Sequence, residues 1–242
     1  MKRSIVLLIT AGLSVAACGD DAPGPAASNA EKAWVTPPVI ETAEIQGSSL
    51  VIGGAASPSG RIVLVAPGGR VFAAAADNRG RFSLVTPKPA ADTLFTAEVQ
   101  VGQARYPAPG RLLVSAGPGG PIAFVSAGAP TRRFDPAPVL DAVDSDGRAT
   151  FLSGRGRASA VVTVTAGVQR PIEVGADGRW SAAPAGLPSV VVVDGQSFVP
   201  SIGAEGEDGL SATPGGWRLI WTAPGGARQA TWFPAGQAET SP

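Results

Sequence analysis

The sequence lacks histidine, and it has one cysteine, one methionine and one tyrosine among its 242 residues. Without imidazole, a nucleophile has no histidine base and a metal ion has no histidine ligand. A single cysteine cannot form a disulfide within the chain. There are three lysines, and acidic and basic residues balance at 19 each, which leaves no basic patch for nucleic acid. We therefore expect no enzyme, no cofactor, no metal site and no nucleic-acid partner.

Long apolar runs are also scarce, and the N-terminus is the exception. "MKRSIVLLITAGLSVAAC" begins with Lys2 and Arg3, continues as an apolar run to about Leu13 and reaches Cys18 through small residues. The run is too short to span a bilayer and is typical of a secretory signal peptide, predicted over residues 1–17. One alternative is ordinary cleavage after Ala17, with an incidental cysteine behind it.

The stretch "VAAC" resembles the bacterial lipobox. The resemblance implies cleavage before Cys18 and a palmitate-bearing diacylglycerol on its sulfur. Two or more acyl chains, at about 0.8 kcal/mol per buried CH₂, anchor a protein stably in a membrane. Gly19 follows the cysteine, where aspartate would retain a lipoprotein in the inner membrane. It therefore implies the outer membrane of a Gram-negative bacterium, with the chain facing the periplasm or the surface.

The remaining composition predicts an all-β protein, because 32 glycines and 23 prolines favour short strands and turns over long helices. "PPVIETAEIQGSSLVIGG" (37–54) is echoed by "APVLDAVDSDGRATFLSG" (137–154) at an offset of 100, and weaker echoes continue to the end of the chain. Many weak matches that recur in the same order along the chain indicate a duplication. We predict a disordered tether over 18–38, β-sandwiches over 39–136 (copy 1) and 137–236 (copy 2), and a disordered tail over 237–242.

Each copy has strand patterns typical of a Greek-key β-sandwich, with seven to nine short strands expected in about 95 residues. "LFTAEVQV" (94–101) alternates apolar and polar residues, as a half-buried strand does. "AADNRGRFSLVTP" (75–87) and "GADGRWSAAP" (175–184) each join a turn to an aromatic residue. At the offset of 100, Asp77 corresponds to Asp177. We predict that Phe82 and Trp180 anchor the two cores just after these turns.

A family resemblance rests on "GGAASPSG" (53–60), the following "RIVLV" and the pattern AxDxxGxF/W. These resemble the bacterial Ig-like and carboxypeptidase-regulatory-like (transthyretin-like) sandwiches over about the first 45 residues of each copy. Copy 2 departs from the pattern, since "SGRGRASA" lacks the proline. The resemblance implies a sandwich fold and an exported protein. It implies no activity, because such domains serve as spacers, adhesion modules, sugar binders and additions to enzymes.

The candidate ligand site is aromatic and lies near the C-terminus. Trp217, Trp221 and Trp232 are three of the five tryptophans. A two-residue turn at Pro-Gly (224–225) places Trp217 opposite Trp232, and Trp221 opposite Arg228 within reach of a cation–π contact. This set could bind a sugar or a protein. The alternative is that these tryptophans fill a core that is otherwise short of large side chains.

The densest acidic cluster is "DAVDSDG", with Asp141, Asp144 and Asp146. A calcium loop of the EF-hand type needs a glutamate six residues after its glycine, and residue 153 is serine. We interpret the cluster as a polar strand and turn.

The sequence as a whole favours a non-enzymatic cell-envelope lipoprotein that acts as a structural spacer or protein-binding module. The alternative is a lipoprotein that binds carbohydrate or peptidoglycan through its C-terminal aromatic residues. The expected partners are the membrane, through the lipid anchor, and an envelope protein or a glycan.

Overall fold

Antiparallel β-strands form all the regular structure in the computed structural model, which describes residues 34–203 and 205–236. The described residues from Val35 onward form one compact unit. The predicted signal peptide, Cys18 and the predicted tail over 237–242 lie outside the described residues, as does most of the predicted tether. Within the described part, no helix is long and apolar enough to cross a membrane.

Copy 1 is a sandwich of a three-stranded sheet, in the order β1-β2-β5, and a six-stranded sheet, in the order β4-β3-β6-β7-β8-β9. Strand β5 alternates exposed and buried residues strictly, so one face of its sheet covers the core. The strands are β1 (Val39–Gln46), β2 (Ser49–Ala55), β3 (Arg61–Val65), β4 (Val71–Ala75), β5 (Arg81–Pro87), β6 (Thr93–Val101), β7 (Ala104–Val114), β8 (Ile122–Ser126) and β9 (Arg132–Arg133).

Copy 2 is a sandwich of a six-stranded sheet, in the order β14-β11-β10-β19-β18-β17, and a four-stranded sheet, in the order β13-β12-β15-β16. The last strand of the copy pairs with the first, a long-range connection typical of Greek-key sandwiches. The strands are β10 (Leu140–Ser145), β11 (Thr150–Arg155), β12 (Val161–Ala166), β13 (Val168–Glu173), β14 (Arg179–Ala182), β15 (Val191–Val193), β16 (Gln196–Phe198), β17 (Gly209–Thr213), β18 (Gly216–Thr222) and β19 (Arg228–Pro234).

The first halves of the two copies match in backbone detail. The β1–β2 pairing shifts register between Ile40 and Thr42, and the β10–β11 pairing shifts between Leu140 and Ala142. Ser59 and Ser159 both take a left-handed conformation, with φ of 58° and 59°, which non-glycine residues rarely adopt. These irregularities recur at the offset of 100, as a duplicated sandwich requires.

The offset falls to 98 in the next hairpin, which corrects the alignment of Asp77 with Asp177. Leu64 pairs with Phe72 in copy 1, whereas Val164 pairs with Arg170 in copy 2, because the copy 2 hairpin loop is two residues shorter. The following turn is closed by the Gly80 N–H donating to the Asp77 carbonyl, and by the Gly178 N–H donating to the Gly175 carbonyl.

Each of these turns carries the chain from one sheet of its sandwich to the other, and an aromatic residue follows it into the core. Phe82 is 7% exposed and Trp180 is 3% exposed. The Phe82 ring lies over Gly54 and the Trp180 indole over Gly154, each in the neighbouring strand. A Cβ at Gly154 would stand 2.3 Å from the Trp180 ring, so only glycine leaves room for the indole.

Candidate functional site

The tryptophans that the sequence singled out lie in β18 and β19. Trp221 is 2% exposed and Trp232 is 1% exposed, while Trp217 is half-buried. Trp232 belongs to the core of copy 2. Trp217 and Trp221 lie on one face of β18, and that face turns toward copy 1. At these exposures, the Trp221 and Trp232 rings present little surface on which a sugar could stack.

The predicted cross-strand pairs are wrong by one residue. Trp217 pairs with Phe233, and Trp221 pairs with Gln229. The loop spans three residues, 224–226, because Gly225 and Gly226 both take positive φ, of 103° and 87°. The Gly226 N–H donates to the carbonyl of Ala223, which makes a β-turn followed by a left-handed residue, as in three-residue hairpin loops.

Arg228 therefore stands beside Thr222 rather than Trp221. Its guanidinium forms an ion pair with Asp208 at 3.3 Å and donates to the carbonyl of Gly206. The Thr222 hydroxyl donates to the same Asp208 carboxylate at 3.1 Å. Arg228 thus fastens the loop before β17 and makes no cation–π contact with a tryptophan.

An apolar cluster, which we call the seam, joins the two copies. Leu219 and Trp221 are 2% exposed, and the Arg111 guanidinium of copy 1 lies 5.9 Å from the centre of the Trp221 ring. Burial of this surface from both sandwiches favours a fixed arrangement of the copies. The fully buried members of the seam are Leu113, Ala123 and Val125 of copy 1 and Ala142, Leu219, Trp221, Ala223 and Phe233 of copy 2.

A cleft of about 520 Å³ opens along one side of the seam. Its walls include the apolar Leu210 and Trp221 and the charged Asp92, Arg111 and Asp208. Asp92 is held in place because it accepts hydrogen bonds from the Ser115 hydroxyl and the Ala116 N–H, both at 2.8 Å. Charges of both signs around an apolar floor suit a polar ligand or a peptide segment.

Beside the seam lies a set of ionic groups, the junction cluster, in which Arg133 and Asp141 are buried and Asp135, Arg155 and Arg179 are partly buried. The Arg133 side chain is fully buried. Its Nη2 donates to Asp135 at 2.7 Å and its Nη1 to the carbonyl of Pro234 at 2.7 Å, which ties the end of copy 1 to the last strand of copy 2. Its guanidinium also lies 5.8 Å from the centre of the Phe233 ring.

Asp141 is the buried acid of the junction cluster. It accepts hydrogen bonds from Arg155 Nε at 2.6 Å and from Arg179 Nη1 at 3.1 Å. Both arginines also donate to the backbone carbonyl of Arg133. Burial raises the pKa of Asp141 above its usual value, and the neighbouring arginines oppose that rise. The Asp141 carboxylate therefore holds two arginines of copy 2 in place, and these arginines bind the backbone at the end of copy 1.

Asp144 makes a second contact across the junction, and its partners there carry no charge. It accepts hydrogen bonds from the Thr131 N–H at 2.9 Å, the Thr131 hydroxyl at 2.6 Å and the Thr231 hydroxyl at 2.8 Å. Burial raises the pKa of Asp144 to about 6, and these three hydrogen bonds oppose the rise. The groups that act on its pKa are uncharged, so no ion pair holds the carboxylate ionised.

We expect acidification to stabilise the protein through Asp144. Its pKa of about 6 in the folded state lies above the unfolded value of 3.8. The folded state therefore holds this proton between pH 4 and 6 while the unfolded state releases it, so the contribution is lost as pH rises through 6. At about 1.4 kcal/mol per pKa unit, the gain from pH 7 to pH 4 is about 2 kcal/mol, because the unfolded carboxyl also begins to bind its proton near pH 4.

Urea unfolding of the wild type and of Asp144→Asn at each pH isolates this gain, because the other carboxylates are common to both proteins. The free energy of unfolding of the wild type should rise relative to the variant as pH falls. A difference that stays constant from pH 7 to pH 4 would show that Asp144 ionises normally.

The three acids of "DAVDSDG" therefore have separate roles. Asp146 lies in the turn, where its carboxylate accepts hydrogen bonds from the N–H groups of Ala149 and Arg148, and these lower its pKa. Asp141 and Asp144 point into the junction between the copies. Among the described residues, no three acidic, histidine or cysteine side chains cluster as metal ligands.

Arg133, Arg155 and Arg179 are the site residues that sequence reasoning missed. One signal was readable: at the offset of 100, copy 2 has Arg155 where copy 1 has Ala55. An added arginine beside the acidic positions of one copy only indicates an ion pair peculiar to that copy. Comparison with models of protein families gives no match, and comparison with curated proteins gives none either.

Proposed function

We propose that this chain is a non-enzymatic lipoprotein of the bacterial cell envelope, in which two fused β-sandwiches form a spacer or protein-binding module. The observation that carries the proposal is the union of the copies through the seam and through the junction cluster, whose arginines donate to backbone carbonyls of the other copy. Two sandwiches joined only by a flexible linker would transmit neither length nor orientation. A buried apolar contact beside hydrogen bonds between the copies supports a body of fixed shape.

The proposed anchor is Cys18, after removal of residues 1–17. Residues 18–38 would then hold the sandwiches away from the outer membrane, facing the periplasm or the surface. The support for this step is the order of the sequence features: a charged start, a short apolar run, "VAAC" and a polar, proline-rich tether. The resemblance of each copy to Ig-like and transthyretin-like sandwiches of exported proteins points the same way.

The proposed surface for a protein partner is the cleft beside the seam. Arg111, Asp92 and Asp208 present charges of both signs there, and they stand on a floor that includes Leu210. Charge complementarity of this kind orients a partner and selects against wrong ones. The alternative of a glycan site built from Trp217, Trp221, Trp232 and Arg228 has less support, because two of the rings are buried and Arg228 is engaged by Asp208.

Metabolic labelling of the full chain in a Gram-negative host tests this proposal. We expect radiolabelled palmitate in the wild type, which should fractionate with the outer membrane and co-purify with an envelope protein. Cys18→Ser should abolish the label and leave an unprocessed precursor, because the acylated sulfur is required before cleavage. Arg148→Gln, a change in an exposed turn of copy 2, is the matched control. Palmitate in Cys18→Ser, or normal processing of it, would contradict the proposed anchor.

A further inference from the structure

Copy 2 contains an apolar cavity of about 240 Å³ whose lining includes Leu152 and Val164, whereas the pocket at the equivalent edge of copy 1 is lined by Phe72 and Phe95 and not by Ile52 or Leu64. It opens between the two sheets, at the edge where β13 and β14 face each other. Its walls include Leu152 of β11, Val164 and Ala166 of β12, Ile172 of β13 and Ala182 of β14. Such a cavity leaves its lining side chains without packing partners on one side, which costs stability.

Comparison of the two copies explains the space. Val164 and Leu64 occupy the same place in their sheets, and their cross-strand partners are Arg170 and Phe72. In copy 1, Phe72 packs edge-to-face on Phe95, with ring centres 6.5 Å apart. In copy 2, arginine stands where copy 1 has the Phe72 ring. The cavity therefore lies where the Phe72 ring stands in copy 1.

Arg170 stands at the mouth of this cavity. As the cross-strand partner of the buried Val164, it projects from the inward face of its sheet, yet the residue is exposed. An arginine in this position lines apolar space with its methylene stem and keeps its guanidinium in water. In the described part of the chain, no carboxylate lies within ion-pair distance of it. Its guanidinium is thus available to an anion from outside.

The rim beside Arg170 is apolar and open to solvent. Val168 is 64% exposed, and Leu187, two residues after the cavity-lining Ala185, is 51% exposed. Exposed aliphatic side chains around an unfilled apolar cavity favour entry of an apolar group.

We propose that this cavity binds a small amphipathic carboxylic acid, with its apolar chain between the sheets and its carboxylate on Arg170. A dry cavity of about 150 Å³ lined by aliphatic and aromatic side chains takes up benzene, so this larger space accommodates a short acyl chain. A guanidinium binds a carboxylate through two parallel hydrogen bonds, which fixes the head of the ligand at the mouth. This binding activity goes beyond the proposed spacer function and does not depend on it.

Methyl NMR of the chain from residue 18 onward, titrated with sodium octanoate below its micellar concentration, tests the proposal. We expect saturable shifts of the methyl signals of Leu152, Val164 and Ile172. Ile52 and Leu64, their counterparts in copy 1, should stay unmoved and serve as the internal control. Arg170→Phe restores the copy 1 residue and should abolish binding, and Ala182→Leu, which fills the cavity from the other sheet, should do the same.

Two further measurements isolate the role of the guanidinium. Arg170→Gln should weaken octanoate binding by about ten-fold or more and leave 1-octanol binding unchanged, whereas Arg148→Gln, in a distant turn, should change neither. Equal affinity for octanol and octanoate in the wild type would overturn the assignment of the carboxylate. Absence of saturable shifts, or equal shifts in copy 1, would overturn the site itself. These outcomes are independent of palmitate labelling at Cys18, so the two proposals fail separately.

Discussion

Replacement of Trp180 by alanine is expected to lower the free energy of unfolding by about 3–5 kcal/mol, the usual cost of removing a buried aromatic side chain. The indole is 3% exposed and lies over Gly154 in the core of copy 2. Because Gly154 has no side chain to move into the space, the cavity left by the substitution cannot collapse from that strand. Urea unfolding followed by far-UV circular dichroism measures the loss.

Trp180→Phe is the matched control, since copy 1 has Phe82 at this place over Gly54. The indole N–H of Trp180 has no hydrogen-bond partner, so its removal forfeits no hydrogen bond. We expect a loss of about 1–2 kcal/mol, because the change reduces only the volume of the ring. A loss below 1 kcal/mol for the alanine variant would show that the indole is exposed in solution and that "GADGRWSAAP" is a binding motif.

The sequence predicted local structure best where the two copies have the same residue pattern. The offset of 100 predicted equivalent strands, and the structure has the same register shift in β1–β2 and β10–β11 and the same left-handed serine at 59 and 159. The burial of Phe82 and Trp180 follows from an aromatic residue placed directly after a turn. These features are local, so their residue patterns determine them.

The residue patterns could not predict the contacts between the copies. Alternation places Trp217, Leu219 and Trp221 on one face of β18, but it cannot say whether that face meets water, a ligand or another sandwich. The structure places copy 1 there. The cross-strand pairs of β18 and β19 were also missed, because a third loop residue moves every pair by one. Loop geometry sets the register of a hairpin, and Pro-Gly-Gly allows more than one loop length.

An acid–arginine pair occurs at equivalent positions in both copies but differs in burial. Glu41 and Arg81 of copy 1 form a pair at 2.7 Å, with side-chain exposures of 34% and 55%. Asp141 and Arg179 occupy the equivalent positions in copy 2, and there the carboxylate is fully buried beneath the backbone of Arg133. Copy 2 has the end of copy 1 packed on this face. The same kind of ion pair is thus a surface contact in copy 1 and part of an interface in copy 2.

Arg133→Ala is expected to lower the free energy of unfolding by about 3–5 kcal/mol, as the loss of one partner from a buried ion pair generally does. The variant leaves the Asp135 carboxylate, 12% exposed, without its cation and the Pro234 carbonyl without its donor. It also removes the stacking of the guanidinium on Phe233. We also expect the shape of the protein to change, because the contacts of Arg133 with Pro234 and Phe233 join copy 1 to copy 2.

Small-angle X-ray scattering at low urea should therefore show a larger radius of gyration for Arg133→Ala than for the wild type, as the copies separate along the seam. Arg81→Ala, in an exposed ion pair of copy 1, is the matched control and should cost about 0–1 kcal/mol with no change in shape. Arg133→Met keeps most of the buried volume and distinguishes the charge from the packing. If Arg133→Ala destabilises the protein no more than Arg81→Ala, the junction cluster is hydrated in solution and the copies are held by the seam alone.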